Sequence, residues 1–230
     1  MTFASLPALG QGRAHLSLGL NGGYAGLDSL NYIVDQFNEE NPDYAKLLPG
    51  FHVPVGIYAS AGGNFKRLLL ELSFTMRTQN ARARSEADLA GNEQQIQLRY
   101  NAHTVEIGTG YYIVDGDYTQ VALGASLDFG QTRLLARRGA GTLQAASLPW
   151  GRMTDELNFA GSIFIQVMFT LRANPQIGLY FRPYYQFGFV RNDFGQVNRF
   201  LRPDNWGDDS FIILQRPSNV GLKTGVFIGS

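Results

Sequence analysis

The chain has 230 residues, 17% of them charged, and a formal net charge of zero. One domain is therefore expected, and the basic excess of nucleic-acid-binding proteins is absent, so we expect no nucleic acid partner. The chain has no cysteine, which excludes disulfides and thiol chemistry. It also lacks an apolar run of about 18 residues, which excludes a membrane protein built from apolar helices.

The N-terminal segment, residues 1–13, is predicted to be either an ordered lead-in or a residual signal segment. Ala8-Leu9-Gly10 has the small residues of a signal-peptidase site, but no basic region or full apolar region precedes it. The sequence leaves both alternatives open. Residues 14–230 are predicted to form a single domain.

Eight stretches of the chain alternate apolar with small or polar residues, which is the pattern of half-buried β-strands. Their predicted ranges are 14–24, 51–61, 66–78, 96–113, 118–129, 159–172, 177–189 and 219–228. In residues 159–172 the odd positions are apolar or glycine, and the even positions include Ser162, Gln166 and Arg172. One face of such a strand suits lipid, and the other suits a crowded interior.

Turn residues join these strands in a regular order. Gly62-Gly63-Asn64, Asp115-Gly116 and Ala173-Asn174-Pro175-Gln176 predict short turns after strands two, four and six, while the other connections are long. All long loops then lie at one end. The pattern predicts an all-β fold, an eight-stranded antiparallel up-and-down transmembrane β-barrel with four long loops, one of which contains a short helix. A soluble lipocalin-like or avidin-like barrel is the alternative.

Two strands are irregular. The apolar positions of the fourth strand are even up to Tyr100 and odd from Val105 onwards, which predicts either a bulge near His103 or a segment, residues 94–102, standing above the membrane. Pro183 in the seventh strand lacks an amide hydrogen, so a bulge or local break is expected there.

The pattern of eight strands resembles the small bacterial outer-membrane barrels of the OmpA and OmpX kind, and the loop composition is similar to that of eight-stranded outer-membrane proteins of the Bacteroidota. This resemblance implies a location in the bacterial outer membrane. It also implies short turns in the periplasm, long loops outside the cell, and contact with outer-membrane lipid and lipopolysaccharide.

Ionic residues are predicted to meet in the lumen, which side chains fill in an eight-stranded barrel. Glu71 and Glu106 on one wall lie at the height of Arg182 and Lys223 on the opposite wall, with Gln166 as a bridging amide. We interpret this set as a structural charge cluster that blocks conduction. The alternative interpretation is that Glu71 and Glu106 form a catalytic pair of carboxylates. A second layer is predicted from Arg77, Arg99 and Asp128.

The long loops carry the candidate contact residues. In the first loop Ser29 is predicted to cap a helix whose apolar face is either a lid over the barrel or a surface for another protein. The last loop either folds back on its neighbours or forms a docking patch. The candidate partner contacts of these loops are Leu30, Ile33, Phe37, Trp150, Phe200, Trp206 and Phe211.

The loop before strand six is basic. Its arginines either bind lipopolysaccharide phosphates or form a solvated cluster that pairs with acids of the neighbouring loop. These arginines are Arg133, Arg137, Arg138 and Arg152, and the acids are Glu86, Asp88 and Glu93.

The sequence carries no nucleotide-binding, zinc or EF-hand motif, so we expect no cofactor and no metal. The function predicted is a structural or accessory outer-membrane subunit without enzymatic activity, which presents its loops to a protein partner or surface ligand. A small porin-like channel is one alternative. A lipid-modifying enzyme that uses His15, His52 or His103 is the other.

Overall fold

A computed structural model describes residues 12–87, 91–141, 145–203 and 213–229. Within these ranges eight strands close into a barrel, and a two-stranded sheet and two α-helices lie in the long connections. The barrel strands are β1 Gly12–Gly26, β2 Val55–Phe65, β3 Leu68–Arg84, β4 Glu93–Asp115, β5 Thr119–Gly141, β6 Gly151–Leu171, β7 Asn174–Gly188 and β10 Ser218–Gly229. The remaining elements are α1 Asp28–Glu40, the one-turn 3₁₀ helix Ala145–Ser147, β8 Asn192–Asp193, α2 Gly195–Leu201 and β9 Leu214–Gln215.

Each barrel strand pairs antiparallel with its neighbours in the chain, and β1 pairs with β10 from His15–Gly229 to Gly26–Ser218. The ring therefore has no free edge, and the predicted fold class is confirmed. Along the described part of the chain, neither helix is long and apolar enough to cross a membrane.

The outer surface of the ring is apolar. On β3 the side chains that point outward are Leu68, Leu70, Leu72, Phe74 and Met76, and the intervening side chains from Leu69 to Arg77 are buried. Leu72, in the middle of this stretch, is 54% exposed. A soluble barrel would bury its apolar face, so this arrangement excludes the lipocalin-like alternative. We call the outward apolar surface the belt; its nine residues on β3 match the roughly 9–11 that a tilted strand needs to cross a bilayer.

Four strands continue beyond the belt at the long-loop end. β4 and β5 are 23 residues long, β6 is 21 and β3 is 17. Much of the polar sequence expected in the loops around residues 80–92 and 130–141 therefore belongs to strands. We call this part of the barrel the extension.

The bulge predicted at His103 is wrong. β4 pairs with β5 without a shift from Glu93 to Tyr112, and the irregularity lies between Tyr112 and Val114. Ile96 and Tyr100 point inward like Glu106, so the inward positions stay the same while their chemistry changes. This agrees with the alternative in which residues 94–102 stand above the membrane.

The predicted turn at Gly62-Gly63-Asn64 is also wrong, because these residues continue β2 and the chain turns at Lys66 and Arg67. Lys66 adopts the left-handed conformation with φ of 55°. Gly62 serves packing instead: a Cβ there would lie 2.7 Å from Cε1 of the His15 ring.

Pro183 interrupts one ladder, as expected. The pairing of β7 with β6 stops at Tyr184–Phe164 and resumes at Phe181–Val167 in the same register. Pro183 itself is paired with Leu222 on the other side, so the strand continues through the break.

The long-loop end is closed by an apolar core that we call the cap core. Leu30, Ile33, Val34 and Phe37 of α1 point into it, together with Phe194, Val197 and Leu201 around α2. The extension contributes the wall of this core through inward residues of β3, β4 and β5, namely Ala81, Ala83, Ile96, Leu98, Tyr100, Ala102, Leu134 and Ala136. Helix α1 begins at Asp28, and its N-cap residue Leu27 makes no side-chain hydrogen bond, so the predicted cap at Ser29 is wrong. The backbone amide of Ser29 instead donates to Gln215 Oε1 of β9 at 2.9 Å.

A charge in the centre of the belt will destabilise the barrel. We expect Leu72→Arg to lower the free energy of unfolding by about 2–4 kcal/mol, because the guanidinium would lie at mid-bilayer depth. The matched control is Leu157→Arg, at the long-loop edge of the belt, where about 0–1 kcal/mol is expected. Urea unfolding of the barrel in lipid vesicles measures both, and equal losses would contradict a lipid-facing belt.

A cavity in the cap core will open the cap without unfolding the belt. Phe37 is 2% exposed, so Phe37→Ala should destabilise the cap by about 3–5 kcal/mol. Tyr32→Ala on the outward face of α1 is the control, since Tyr32 is 58% exposed. Amide hydrogen exchange of α1 and of the belt strands checks this; simultaneous loss of protection in both would contradict a separate cap.

Candidate functional site: a plugged lumen beneath a capped mouth

Two ion pairs span the lumen. The Arg182 guanidinium on β7 contacts the Glu71 carboxylate on β3, and the Lys223 ammonium on β10 contacts the Glu106 carboxylate on β4. Each pair joins strands on opposite sides of the eight-stranded ring. All four side chains are buried, so the structure brings together the four ions that the sequence placed at similar heights.

Further polar groups surround each pair. His15 Nε2 lies 3.4 Å from Glu71 Oε2, and the Thr75 hydroxyl donates to Glu106 at 2.9 Å. The guanidinium of Arg182 donates to the Tyr180 hydroxyl at 3.1 Å and lies over the Phe164 ring. Buried charges are tolerated when several partners of this kind compensate their lost hydration.

A tyrosine, which the sequence reasoning did not single out, fills the lumen above these pairs. The Tyr184 hydroxyl donates to Asn21 Oδ1 at 3.0 Å and accepts from Asn219 Nδ2 at 3.1 Å. A Cβ at Gly221 would lie 2.4 Å from the same hydroxyl, so this glycine provides the space. The sequence signal that could have predicted this tyrosine in the lumen was the set of inward glycines on β1 and β10, which face the aromatic residues of β7.

Gln166 does not bridge the ion pairs. Its Nε2 lies 3.2 Å from the Met168 sulfur, and its Oε1 is buried without a hydrogen-bond partner among the residues described. The prediction of a bridging amide is therefore wrong. Strand register placed Gln166 at the correct depth but could not fix the direction of its flexible side chain.

The second layer has two of its three predicted members. Asp128 accepts from Gln186 Nε2 at 2.7 Å, and Arg77 donates to Gln186 Oε1 at 3.4 Å, so one amide connects them. Arg99 is on the outer face instead, with its guanidinium 4.4 Å from the centroid of the Trp150 ring. Because β4 is regular from Glu93 to Tyr112, the odd position of Arg99 points outward.

The first-loop candidates are buried in the cap core. Leu30, Ile33 and Phe37 are at most 2% exposed, so the structure favours the lid and leaves no apolar helix face for a partner. The exposed residues of α1 are Asp28, Tyr32, Asp35, Glu39 and Glu40. The mouth of the barrel is thus sealed by an apolar interior and covered by a polar exterior.

Tyr44 lies at the edge of the cap. Its ring meets Phe37 edge-on with centroids 5.6 Å apart, and its hydroxyl donates to Gln94 at 3.1 Å. Burial raises the pKa of Tyr44, although the nearby Arg138 charge opposes this shift. The phenol therefore stays protonated and remains a hydrogen-bond donor at neutral pH.

The other aromatic candidates are engaged at the surface. Trp150 is half-buried against Arg99 and Arg137, whose guanidinium carbons lie 4.4 and 4.2 Å from the ring centroid. Phe200 is half-buried, with the Arg138 guanidinium 5.2 Å from its ring. Trp206 and Phe211 lie outside the described residues.

The predicted basic loop is largely part of β5 and β6. Arg133 and Arg152 both contact Asp155, at 3.2 and 2.7 Å. Arg138 donates to the Phe200 carbonyl at 2.8 Å, and Arg137 donates to Gln97. Of the acids expected to pair with them, Glu93 instead lies 3.7 Å from Arg84, and Asp88 is outside the described residues.

The three histidines do not share a site. His15 is in the lumen beside Glu71, His52 stacks on Tyr24 near the cap, and His103 lies near Phe74 on the outer surface. No group of three or more metal-binding side chains occurs in the part of the chain that the structure describes. At the short-turn end the lumen opens into a vestibule of about 560 Å³ whose lining includes His15, Tyr112 and Phe227.

No protein-family model and no curated protein matches this chain. Among solved structures, neisserial surface protein A has a TM-score of 0.50 at 10% identity, over 94% of this chain and 96% of that one. Ail, the attachment invasion locus protein of Yersinia pestis, solved with the heparin analogue sucrose octasulfate, has a TM-score of 0.47 at 9% identity, over 95% and 99%. The outer membrane protease OmpT of Escherichia coli has a TM-score of 0.42 at 11% identity, over 95% and 96%.

At such low identity the likeness to neisserial surface protein A concerns the fold alone. The closed ring, the belt and the plugged lumen define the class: a transmembrane β-barrel with the fold of the small eight-stranded outer-membrane proteins. Barrels with an outward apolar band are of the outer-membrane type, which supports the predicted location.

Removing one partner of a lumen ion pair will cost more than removing both. Glu106→Gln leaves the Lys223 ammonium buried without its carboxylate and should destabilise the barrel by about 3–5 kcal/mol. The double variant with Glu106→Gln and Lys223→Met should lose less.

Urea unfolding in vesicles measures these variants, with the exposed Glu39→Gln as the control for loss of a carboxylate. A double variant that is as unstable as Glu106→Gln alone would show that the pairing is not what stabilises the lumen.

Proposed function

We propose that this chain is an outer-membrane barrel that acts as a structural or accessory subunit and presents its capped extracellular end to a protein partner. It has no enzymatic activity in this proposal. One transmembrane domain comprises residues 14–230, and residues 1–13 are a lead-in or a residual signal segment. The observation that carries the proposal is the ordered cap above the belt.

The cap is much more than a barrel needs in order to cross a bilayer. β4 continues for about ten residues beyond the belt, and α1, α2 and the β8–β9 pair are packed onto the extension. Such ordered connections are usually functional. Ordering a loop costs conformational entropy, and a segment that only connects two strands can stay flexible and avoid this cost.

The surface offered to a partner is polar. The outward residues of α1 include Tyr32, which lies between Asp28 and Asp35. The two aspartates surround the Tyr32 ring with negative charge. An aromatic anchor within a polar rim is a common arrangement at protein interfaces. We therefore assign the partner contact to this outward face rather than to the buried apolar face of α1.

A small channel is the first alternative. It would require both lumen ion pairs to separate and the cap to open, since the pairs join opposite walls and the cap core lies above them. Steady single-channel conductance of the purified barrel in a planar bilayer would favour it.

A lipid-modifying enzyme is the second alternative. The separate positions of His15, His52 and His103 give it no shared site. Alanine replacement of each histidine, followed by analysis of membrane lipids, tests it; an unchanged lipid composition would remove it.

The proposed function predicts a stoichiometric partner. We expect affinity purification from native membranes in mild detergent to recover one protein in a fixed ratio to the barrel, as quantified by mass spectrometry. The combined Tyr32→Ala and Asp35→Lys variant should lower this ratio at least tenfold, because it removes the anchor and reverses a charge of the exposed face.

The control is Arg172→Gln, an exposed change at the opposite end of the barrel, which should leave the ratio unchanged. Recovery of a lone barrel, or of the same partner at the same ratio with the cap variant, would contradict the proposal. Each variant must give a yield of folded barrel that is comparable to the yield of the unchanged chain.

A further inference from the structure

The outward side of α1 is acidic. Asp28, Tyr32, Asp35 and Glu39 follow one another at intervals of three or four residues, so they share one face of the helix. All four side chains are exposed, while the opposite face of α1 is buried in the cap core. We call these four residues the front face. It places three carboxylates around one aromatic ring.

A positively charged surface lies on the outer side of the extension. Strand pairing puts Arg82 of β3, Gln97 of β4 and Arg137 of β5 in one row, and Arg99 is two residues from Gln97 on the same side of β4. Arg82 is exposed, and the guanidinium groups of Arg99 and Arg137 both contact the Trp150 ring. We call Arg82, Arg99, Arg137 and Trp150 the back face. It places three guanidinium groups around one aromatic ring.

Two acids on the outside of the extension contact other arginines. Glu93 lies 3.7 Å from Arg84, and Asp155 contacts both Arg133 and Arg152. The back face therefore keeps a positive charge that matches in sign and number the negative charge of the front face.

The front face and the back face lie on opposite sides of the cap core. Ala81, Leu98 and Ala136 alternate with the arginines along their strands and form one row in the wall of this core. The buried side of α1 contributes to the same core. Leu27 separates α1 from the end of β1, and β1 is opposite β5 in the ring. The two faces are therefore on opposite sides of the capped end, at a similar height above the belt.

This placement determines how two neighbouring barrels can meet. Copies of this chain in one membrane carry their caps on the same side, so neighbours are related by a shift or by a turn about the membrane normal. A two-fold axis would bring front to front or back to back, where like charges repel. A shift brings the front face of one copy to the back face of the next, where carboxylates meet guanidinium groups.

We propose that the front face of one copy binds the back face of a second copy of this chain in the same membrane. Guanidinium groups form strong charge-assisted hydrogen bonds with carboxylates, and Tyr32 and Trp150 give each face an aromatic anchor. The contact is heterologous, so each copy uses both faces and the contact repeats into a row or a ring. This inference rests on the proposed function, which assigns partner contact to the outward face of α1, and it names that partner.

The test is co-purification of two copies of the whole chain that carry different affinity tags. We expect unchanged copies to be recovered together from native membranes in mild detergent. The front variant has Asp35→Lys and Glu39→Lys, and leaves Asp28 unchanged because it lies in the first turn of α1. The back variant has Arg82→Glu and Arg99→Glu. When both tagged copies carry the same variant, recovery of the second copy should fall at least tenfold, because like charges then meet.

Mixing the two variants should restore recovery. A front variant beside a back variant retains one unaltered back face and one unaltered front face, so one native contact can form. This restoration also shows that both variants fold. In about 1 M salt the screening length falls to about 3 Å, and recovery of unchanged copies should fall as well.

The matched control is the double variant Arg67→Glu and Arg172→Glu at the short-turn end, which should leave recovery unchanged. Full recovery with either variant alone, or no restoration when the two variants are mixed, would overturn the inference. Recovery of a different protein in place of the second copy would overturn it and leave the proposed function standing. Recovery of a lone barrel would contradict both.

Discussion

Closure of the hydrogen-bonded ring is the constraint on which the rest of this structure depends. Hydrocarbon offers no water to an unpaired amide, so strands cross a bilayer only when the last one pairs with the first, as β10 does with β1. A ring of eight strands is only wide enough to hold side chains, and this narrowness brings opposite walls into contact. Arg182 and Lys223 thereby reach Glu71 and Glu106 across the ring, and Gly221 is small because Tyr184 fills the remaining space.

The chemistry of the inward side chains depends on whether lipid or water surrounds the barrel at the same height. Within the belt the outer side chains face lipid, so the apolar residues point outward and the charges point inward, where they pair. In the extension the outside is polar, and the inward positions of the same strands become apolar and form the cap core. β4 shows both arrangements, because Tyr100 and Glu106 lie on one inward face with opposite chemistry and no bulge lies between them. The cap core thus depends on strands that continue straight out of the membrane.

The sequence was sufficient to predict the eight strands, their order, two of the three short turns and the relative heights of the four lumen ions, because alternation and turn residues are local signals. The sequence was insufficient where two different local structures produce the same pattern of apolar and polar residues. The change of apolar positions in β4 fits a bulge or a change of surroundings equally well, and only the second keeps Arg99 outside. Gly62 reads as a turn residue, but it makes room for His15 on a neighbouring strand. Side-chain direction, as for Gln166, depends on packing between strands that no local pattern specifies.

The outer face of β4 passes from lipid to water between Asn101 and Val105, and this passage is the property that most directly distinguishes a transmembrane strand with an extension. The chain has no cysteine, so single cysteines for spin labels can be placed at the outward positions Gln95, Asn101, Val105, Ile107 and Thr109 without background. Electron paramagnetic resonance of the reconstituted barrel then compares collision with lipid-soluble oxygen and with a water-soluble nickel complex. We expect oxygen to dominate from Val105 onwards and the nickel complex to dominate at Gln95 and Asn101. The same accessibility at all five positions would contradict a strand that crosses the membrane and continues into an extracellular extension.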